Sequence, residues 1–79
     1  MLSFMALSTL QKTQQILAVQ IKVFRKEAGL TQEALAHDAE IDRTYISQLE
    51  RALVNPSLAV LVRISNVLDV SITDLFKSK

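Results

Sequence analysis

The sequence contains no cysteine, and its 79 residues include one glycine, one proline and one histidine. Without cysteine, the chain can form neither a disulfide bond nor a thiolate metal site. One histidine cannot build a multi-histidine metal site, and it disfavours a Ser-His-Asp catalytic site. The scarcity of glycine and proline argues against a β fold, because β-hairpins use both in their turns. The composition therefore predicts an all-α protein. Because the sequence also contains no supporting catalytic constellation, we expect neither an enzyme nor a cofactor or small-molecule ligand.

Charge of either sign is not in excess. Nine Lys and Arg residues balance eight Asp and Glu residues to leave a formal net charge of +1, and 49% of the chain is apolar. This composition is typical of one small globular domain. Charge is nevertheless unevenly placed, since residues 31–42 hold four carboxylates and no Lys or Arg. Any nucleic-acid partner must therefore be met by locally arranged charge and by pairing two sites.

The apolar start of the chain, residues 1–10, has no basic residue ahead of it. A membrane-spanning helix needs about 20 residues, so we expect neither a membrane span nor a signal peptide, and we expect a cytoplasmic protein. Ser8 and Gln11 have the spacing of a capping box, which indicates a helix beginning before residue 13; a loose arm is the alternative. We divide the chain into an N-terminal extension, 1–12, partly helical or loose, and a domain, 13–79.

Apolar periodicity and capping residues predict five or six helices. Thr31, Asp42 and Ser71 are candidate N-caps, and Asp74 has the spacing of a capping-box partner for Ser71. Pro56 marks a boundary, because proline suits the first turn of a helix and cannot extend the previous one. The predicted helices cover residues 13–28, 32–38, 43–52, 58–68 and 72–76.

The segment 31–51 is the most informative for function. Its second predicted helix has one apolar side and one polar side, and the polar side carries amide, hydroxyl and guanidinium groups that can read base edges in a major groove. A face that is merely solvated would more often carry Glu and Lys, although an ordinary exposed helix is an equal alternative for this stripe by itself. The polar side holds Thr44, Ser47, Gln48 and Arg51, and the apolar side holds Tyr45, Ile46, Leu49 and Leu53.

A short helix, a tight connection and a second helix with a polar face together form a helix-turn-helix. Three stretches follow this order along the chain: RKEAGLTQEALA at 25–36, DRTYISQLER at 42–51 and NPSL at 55–58. With these motifs the sequence resembles the phage repressor and Cro type of helix-turn-helix family, also called the XRE family, over roughly residues 16–76. The resemblance implies a compact five-helix, lambda-repressor-like domain that binds double-stranded DNA as a homodimer and regulates transcription.

Within the family, the stretch RTYIS at 43–47 is similar to the controller proteins of restriction-modification systems. The predicted helices also account for a DNA-binding domain with no effector domain, as in those controllers. Small phage and antitoxin regulators share this architecture, so they remain an alternative.

The resemblance implies roles for individual residues. A phosphate contact at residue 32 also suits its position, since free backbone N–H groups at a helix N-terminus favour an anion. Arg25 is implied to pair with Glu50 as a structural ion pair. The implied base contacts are Arg43, Thr44, Ser47 and Gln48, and the implied phosphate contacts are Gln32, Arg51, Asn55 and Ser57.

The sequence departs from the family pattern at four positions. Glu40 and Ala52 stand where the family often has glycine, and a non-glycine residue with positive φ costs about 1 kcal/mol in strain. Leu53 and Val54 stand where the family tends to have Lys or Arg, which implies fewer phosphate contacts. These two apolar residues motivate a rival hypothesis, a helix-turn-helix used as a protein-interaction module such as an antitoxin-like partner.

The C-terminal helices carry more apolar surface than so small a domain can hide. We expect an inward stripe of Leu58, Leu61, Ile64 and Leu68. The remaining apolar residues either close the core around the first helix or form the dimer interface that the resemblance implies through the last helix. The predicted interface residues are Val67, Val70, Ile72, Leu75 and Phe76.

A metal site around the acidic turn is the remaining alternative. Asp42 is explained as a helix cap, and Asp38 and Glu40 as solvated charges at a helix end. We therefore expect no metal ion.

Overall fold

The computed structural model describes residues 4–78, and side chains from residue 9 onward. Those residues form four α-helices and one final 3-10 helix, η1, with no strand among them. The all-α class is therefore confirmed, but the fifth predicted helix is a single 3-10 segment rather than an α-helix. The elements are α1 (Phe4–Glu27), α2 (Gln32–Ala39), α3 (Arg43–Glu50), α4 (Leu58–Leu68) and η1 (Ile72–Phe76).

Helix α1 is longer than the first helix predicted from periodicity. It has 24 residues and runs without a break across residues 12 and 13, where we placed the boundary of the N-terminal extension. The predicted capping box includes Ser8, which lies outside the residues whose side chains are described. The helix ends at Glu27, and Gly29, two residues later, has a left-handed φ of 73°. The amide of Leu30 closes the end by donating to the carbonyl of Arg25 over 3.0 Å.

Side-chain caps open α2 and α3 as predicted. The Thr31 hydroxyl accepts from the amide of Ala34 over 3.0 Å, and the Asp42 carboxylate accepts from the amide of Thr44 over 2.7 Å. Each cap satisfies one of the backbone N–H groups that have no partner inside a helix. The two caps therefore set where the helices of the helix-turn-helix begin.

The start of α4 differs from the prediction, whereas the start of η1 agrees with it. Ser57 is the N-cap of α4, so Pro56 precedes the cap instead of lying in the first turn. Ser71 and Asp74 form the predicted capping box, in which each side chain accepts from the other residue's amide. That box is compatible with a 3-10 helix because its partners are only three positions apart.

The core draws on all five elements. Helix α2 packs against α3 and α4, α1 packs against α3 and η1, and α4 also contacts η1. None of the helices in the described range is long and apolar enough to cross a membrane. The largest fully buried side chains are Ile21, Leu35, Ile46, Leu49, Ile64 and Leu75.

Two apolar predictions need correction. Leu58 was expected in the inward stripe of α4 but is 70% exposed, while Leu61, Ile64 and Leu68 are buried. Leu58 is the first residue of α4 and lies at the edge of the domain, where the stripe has no element to cover it. Leu75 was expected at the dimer interface but is 0% exposed within one chain, so it belongs to the core and offers no surface to a second copy.

Candidate nucleic-acid interface

Helix α3 turns its apolar side to the core. Ile46 and Leu49 are buried, and Tyr45 is half-buried against the same cluster. These contacts anchor α3 to α1 and α2, which pack on its inner side. Because the apolar residues fix the rotation of the helix, the opposite side faces outward.

The outward side of α3 carries the implied base contacts. Arg43 and Thr44 are exposed in the first turn, and Ser47 and Gln48 are half-buried farther along. Within the described part of the chain, no residue forms a hydrogen bond with any of these four side chains. Their guanidinium, hydroxyl and amide groups are the types that bind base edges in a major groove. Arg51, an implied phosphate contact, is exposed just beyond the helix.

The C-terminal end of α3 is held by an ion pair. Arg25 Nε donates to Glu50 Oε2 over 2.6 Å, and a second guanidinium nitrogen donates to Glu50 Oε1 over 3.0 Å. The two side chains are 9% and 2% exposed, and a third guanidinium nitrogen donates to the carbonyl of Leu30 over 2.8 Å. This is the Arg25–Glu50 pair that the resemblance implies, in bidentate geometry that fixes both partners.

Gln32 adds to this ion pair. Its side-chain amide donates to Glu50 Oε1 over 3.1 Å, a contact that the sequence pattern did not indicate. One N–H of that amide remains free, because a glutamine amide carries two. Gln32 is also the first residue of α2, where backbone N–H groups have no helical partner. Gln32 therefore lies where the free backbone N–H groups of α2 suit a phosphate, and its side chain also holds Glu50 in place.

Asn55 and Ser57 are partly engaged inside the chain. The Asn55 side-chain oxygen accepts from the Gln14 amide, and the Ser57 hydroxyl oxygen accepts from the amide of Val60 over 3.2 Å. Both accept rather than donate, so the Asn55 amide and the Ser57 hydroxyl keep their donors for an anion. Both residues are exposed.

The turn between α2 and α3 has a left-handed residue. Glu40 has a φ of 57°, and the amides of Glu40 and Ile41 close the end of α2 on the carbonyls of His37 and Ala36. Arg63, from α4, donates to the carbonyls of Ala39 and Glu40. Sequence reasoning did not single out Arg63, because the contact joins residues about 24 positions apart and no local pattern signals it.

The second position at which another residue replaces the family's glycine also has a left-handed backbone conformation. Ala52, just after α3, has a φ of 59°, so the strain anticipated for a non-glycine residue applies there. Leu53 follows it and is 59% exposed. The rim of the outward face therefore carries an apolar residue where a basic one would contact phosphate.

The acidic turn does not gather metal ligands. Over the part of the chain that is described, no group of three His, Asp or Glu side chains lies close enough to hold a metal ion. His37 pairs with Asp38 over 3.2 Å between two largely solvated side chains. Asp42 is engaged as the cap of α3.

The predicted dimer residues other than Leu75 keep some exposed surface. Val67, Val70 and Ile72 are half-buried, and Phe76 is 40% exposed. They lie on α4, on η1 and on the segment between them, on the C-terminal part of the domain.

Comparison with known proteins decides the family. A family model described as Helix-turn-helix matches residues 21–75, which is more than half of the chain. The chain belongs to the XRE-type helix-turn-helix family. This membership places the domain among DNA-binding regulators rather than enzymes.

Curated relatives of this XRE-type chain include two kinds of regulator. The transcriptional regulator SinR of Bacillus subtilis is 43% identical over 60 residues, which cover 75% of this chain and 54% of SinR. The control protein C.MunI of a Mycoplasma species is 40% identical over 57 residues, which cover 71% of this chain and 77% of the control protein. The chain thus spans about half the length of the SinR relatives that it matches.

Solved structures share the XRE-type fold. The hypothetical transcription factor NHTF from Neisseria has a TM-score of 0.81 at 32% identity, covering 86% of this chain and 78% of its own. The restriction-modification controller protein C.AhdI from Aeromonas hydrophila has a TM-score of 0.77 at 30% identity, covering 80% and 96%. A crystal structure of SinR in complex with DNA has a TM-score of 0.75 at 40% identity, covering 77% and 98%.

Proposed function

We propose that this chain is a sequence-specific, DNA-binding transcription regulator that acts as a homodimer on two paired operator half-sites. The observation that carries the proposal is the outward face of α3, where Arg43, Thr44, Ser47 and Gln48 are free of intramolecular hydrogen bonds in the described part of the chain. Groups that are free and held on a rigid helix can bind bases without first breaking internal contacts. The DNA complex of the relative SinR supports the same use of this fold.

The homodimer is proposed because one domain of this kind carries little positive charge. Glu50 neutralises Arg25, and Arg63 is directed to backbone carbonyls, which leaves Arg43 and Arg51 as the arginines near the outward face. Two copies double the number of contacts with DNA. Once the first copy is bound, binding of the second copy becomes an intramolecular step. Half-sites read by two such helices are expected about 34 Å apart along one face of the duplex. The proposal includes a cytoplasmic location, since the chain would have to reach DNA.

Within the family, we propose a restriction-modification controller as the specific role. C.MunI and C.AhdI support it, since the matched segment covers 77% and 96% of those proteins. A nuclease gene and a methyltransferase gene beside the gene for this chain are the expected genomic setting. A neighbourhood without either gene would contradict this specific role and leave the wider proposal intact.

The decisive experiment is selection of bound duplexes from a random library at a stated salt concentration. We expect enrichment of a pseudo-palindromic sequence, because two copies of α3 related by a two-fold axis read the same bases on opposite strands. Binding with no preferred sequence would overturn the proposal. The salt concentration must be reported, since affinity falls as phosphate contacts are screened.

One observation favours a second function, protein interaction. Leu53 and Leu58 are 59% and 70% exposed near the end of α3 and the start of α4. Exposed leucines at a rim are suited to an apolar partner surface. Isolation of a stoichiometric protein partner, together with no duplex binding at low salt, would decide for this alternative.

A further inference from the structure

We propose that Arg63 is a positioning residue that fixes the orientation of α3 for specific DNA binding, by clamping the turn before α3 from the neighbouring helix α4. The inference rests on the proposed function, since it assigns Arg63 a role in reading sequence. Arg63 itself is not proposed to touch DNA.

The clamp consists of two hydrogen bonds to consecutive carbonyls. Arg63 Nε donates to the carbonyl of Ala39 over 2.9 Å, and a terminal guanidinium nitrogen donates to the carbonyl of Glu40. The bonds that close α2 use the carbonyls of Ala36 and His37 instead. Without Arg63, the carbonyls of Ala39 and Glu40 would have no protein donor among the hydrogen bonds of the described residues.

Arginine chemistry suits this position. The guanidinium group presents several N–H donors in a planar fork, so one side chain binds two neighbouring carbonyls. Its positive charge also lies at the C-terminal, negative end of α2. No carboxylate in the described range forms an ion pair with Arg63, although Asp38 and Glu40 are close in sequence to the bound carbonyls. The guanidinium is therefore committed to the backbone of the turn.

The clamp acts on a strained residue. Glu40 is left-handed with a φ of 57°, and a non-glycine residue keeps that conformation only when surrounding contacts hold it. Only Ile41 and Asp42 separate Glu40 from Arg43, the first residue of α3. A change in the backbone at Glu40 would consequently move the first turn of α3, where Arg43 and Thr44 lie.

Two guanidinium groups thus hold the two ends of α3. Arg25 of α1 binds Glu50, the last residue of the helix, and Arg63 of α4 binds the turn before its first residue. Helix α3 packs mainly against α1 and α2, whereas Arg63 connects α4 to the turn before α3. Base contacts need side chains held in a narrow range of positions, whereas phosphate contacts tolerate small shifts. Loss of Arg63 should therefore weaken specific binding more than nonspecific binding.

The test compares three variants of the full chain on the duplex obtained by selection and on a random duplex. Arg63→Met removes the donors, Arg63→Lys keeps the charge and some donors, and Lys22→Met removes the same charge from an exposed site on α1. We expect the ratio of specific to nonspecific affinity to fall about tenfold or more in Arg63→Met, the loss that follows from misplacing one base contact. Arg63→Lys should recover part of the ratio, and Lys22→Met should leave it within about twofold.

The salt dependence separates positioning from phosphate binding. The slope of log affinity against log salt should be the same in Arg63→Met and the unaltered chain. A slope smaller by about 0.9, with equal loss on both duplexes, would make Arg63 a phosphate contact and overturn the inference. An unchanged affinity ratio would overturn it as well.

Hydrogen exchange tests the clamp without DNA. In Arg63→Met, exchange should accelerate at the amides of Ile41 and Ile46, which bond across the turn and the start of α3, relative to the amide of Leu61 in α4. Equal acceleration at all three sites would show general destabilisation and overturn the clamp. If the unaltered chain prefers no duplex, the proposed function fails, and this exchange ratio alone then decides whether Arg63 holds the turn.

Discussion

Arg43 is the side chain that we propose sets base preference at one position of the operator. It is exposed in the first turn of α3 and has no partner among the described residues, while Gln32 lies at the start of α2 and already braces Glu50. We therefore propose different roles for the two residues, with Arg43 contacting a base and Gln32 contacting a phosphate. The difference can be measured.

Arg43→Ala is expected to relax base choice at one position and to weaken binding there by about 1–3 kcal/mol. Gln32→Ala should weaken all duplexes alike, because a phosphate contact carries no sequence information. Both are measured by titration against a set of duplexes with single base changes, with thermal unfolding as the control for Gln32→Ala. An equal loss on every sequence for both variants would reject the assignment.

Left-handed residues are a second feature at the scale of single residues. Glu40, Ala52 and Asp69 all have φ near 57° without being glycine. The family resemblance raised the question of whether Glu40 and Ala52 have positive φ, and the backbone angles show that both do. Each places a β-carbon against its own backbone, and the fold tolerates the cost because neighbouring contacts hold the turns.

Ala52→Gly is expected to raise the free energy of unfolding by up to about 1 kcal/mol. The relief of strain is worth about 1–2 kcal/mol, and the added freedom of the unfolded chain offsets part of it. Chemical denaturation measures the change. Ala59→Gly, in the first turn of α4, is the matched control and should slightly lower the same free energy, because glycine loses more conformational freedom on folding than alanine. A destabilised Ala52→Gly would contradict the strain at Ala52.

Among the elements, η1 depends strongly on local polar contacts. Its capping box joins Ser71 and Asp74, and Lys77 donates to the Asp74 carboxylate over 2.8 Å. The hydrogen bond from Lys77 and then those from Ser71 hold the pKa of Asp74 below its ordinary value. These contacts favour the charged carboxylate, and they hold together the short helix that places Leu75 in the core.

The lowered pKa of Asp74 gives a pH dependence with a defined sign. A carboxyl whose pKa is lower in the folded chain stabilises it above the unfolded pKa, and this contribution disappears as pH falls through the folded pKa. We therefore expect a carboxyl NMR titration of Asp74 below the range of unfolded aspartate, and an upward shift of that pKa in Lys77→Met. Lys22→Met should leave the titration unchanged, and an Asp74 midpoint insensitive to Lys77 would contradict the assigned cause.

For the molecule as a whole, we consider two apolar areas as candidates for the interface of the proposed homodimer. One is the C-terminal area of Val67, Val70, Ile72 and Phe76, and the other is the exposed pair Leu58 and Val62 on α4. The family resemblance favours the C-terminal area. Burial of Leu75 reduces the predicted interface, since that side chain already completes the core of one chain.

Phe76→Lys is expected to dissociate the proposed dimer, because it places a charge in the proposed apolar contact. DNA affinity should fall with it, since a single domain loses the gain from pairing two half-sites. Analytical ultracentrifugation measures the assembly state, and Val62→Lys provides the same substitution outside the proposed interface. Dissociation by Val62→Lys but not by Phe76→Lys would contradict the proposed interface and place it at Leu58 and Val62 instead.

Local patterns predicted the helices better than they predicted which side chains are buried. The bounds of α4 and the first residues of α2 and α3 agree with the sequence, because caps and apolar spacing act within a few residues. Leu58 shows the limit: it has the right spacing for the inward stripe but no neighbouring element covers it. Burial depends on which element packs against a residue, and the spacing of apolar residues along the sequence does not contain that information.

Local sequence patterns were enough to predict the all-α class, the caps at Thr31 and Asp42, and the residues on the outward side of α3, because periodicity and capping act over a few residues. The packing of the helices was needed to establish that Gln32 braces Glu50, that Leu75 completes the core and that Arg63 binds the turn before α3. Those contacts join residues 18 or more positions apart or depend on complete burial. Their partners are chosen by how the helices pack, and no short stretch of sequence contains that information.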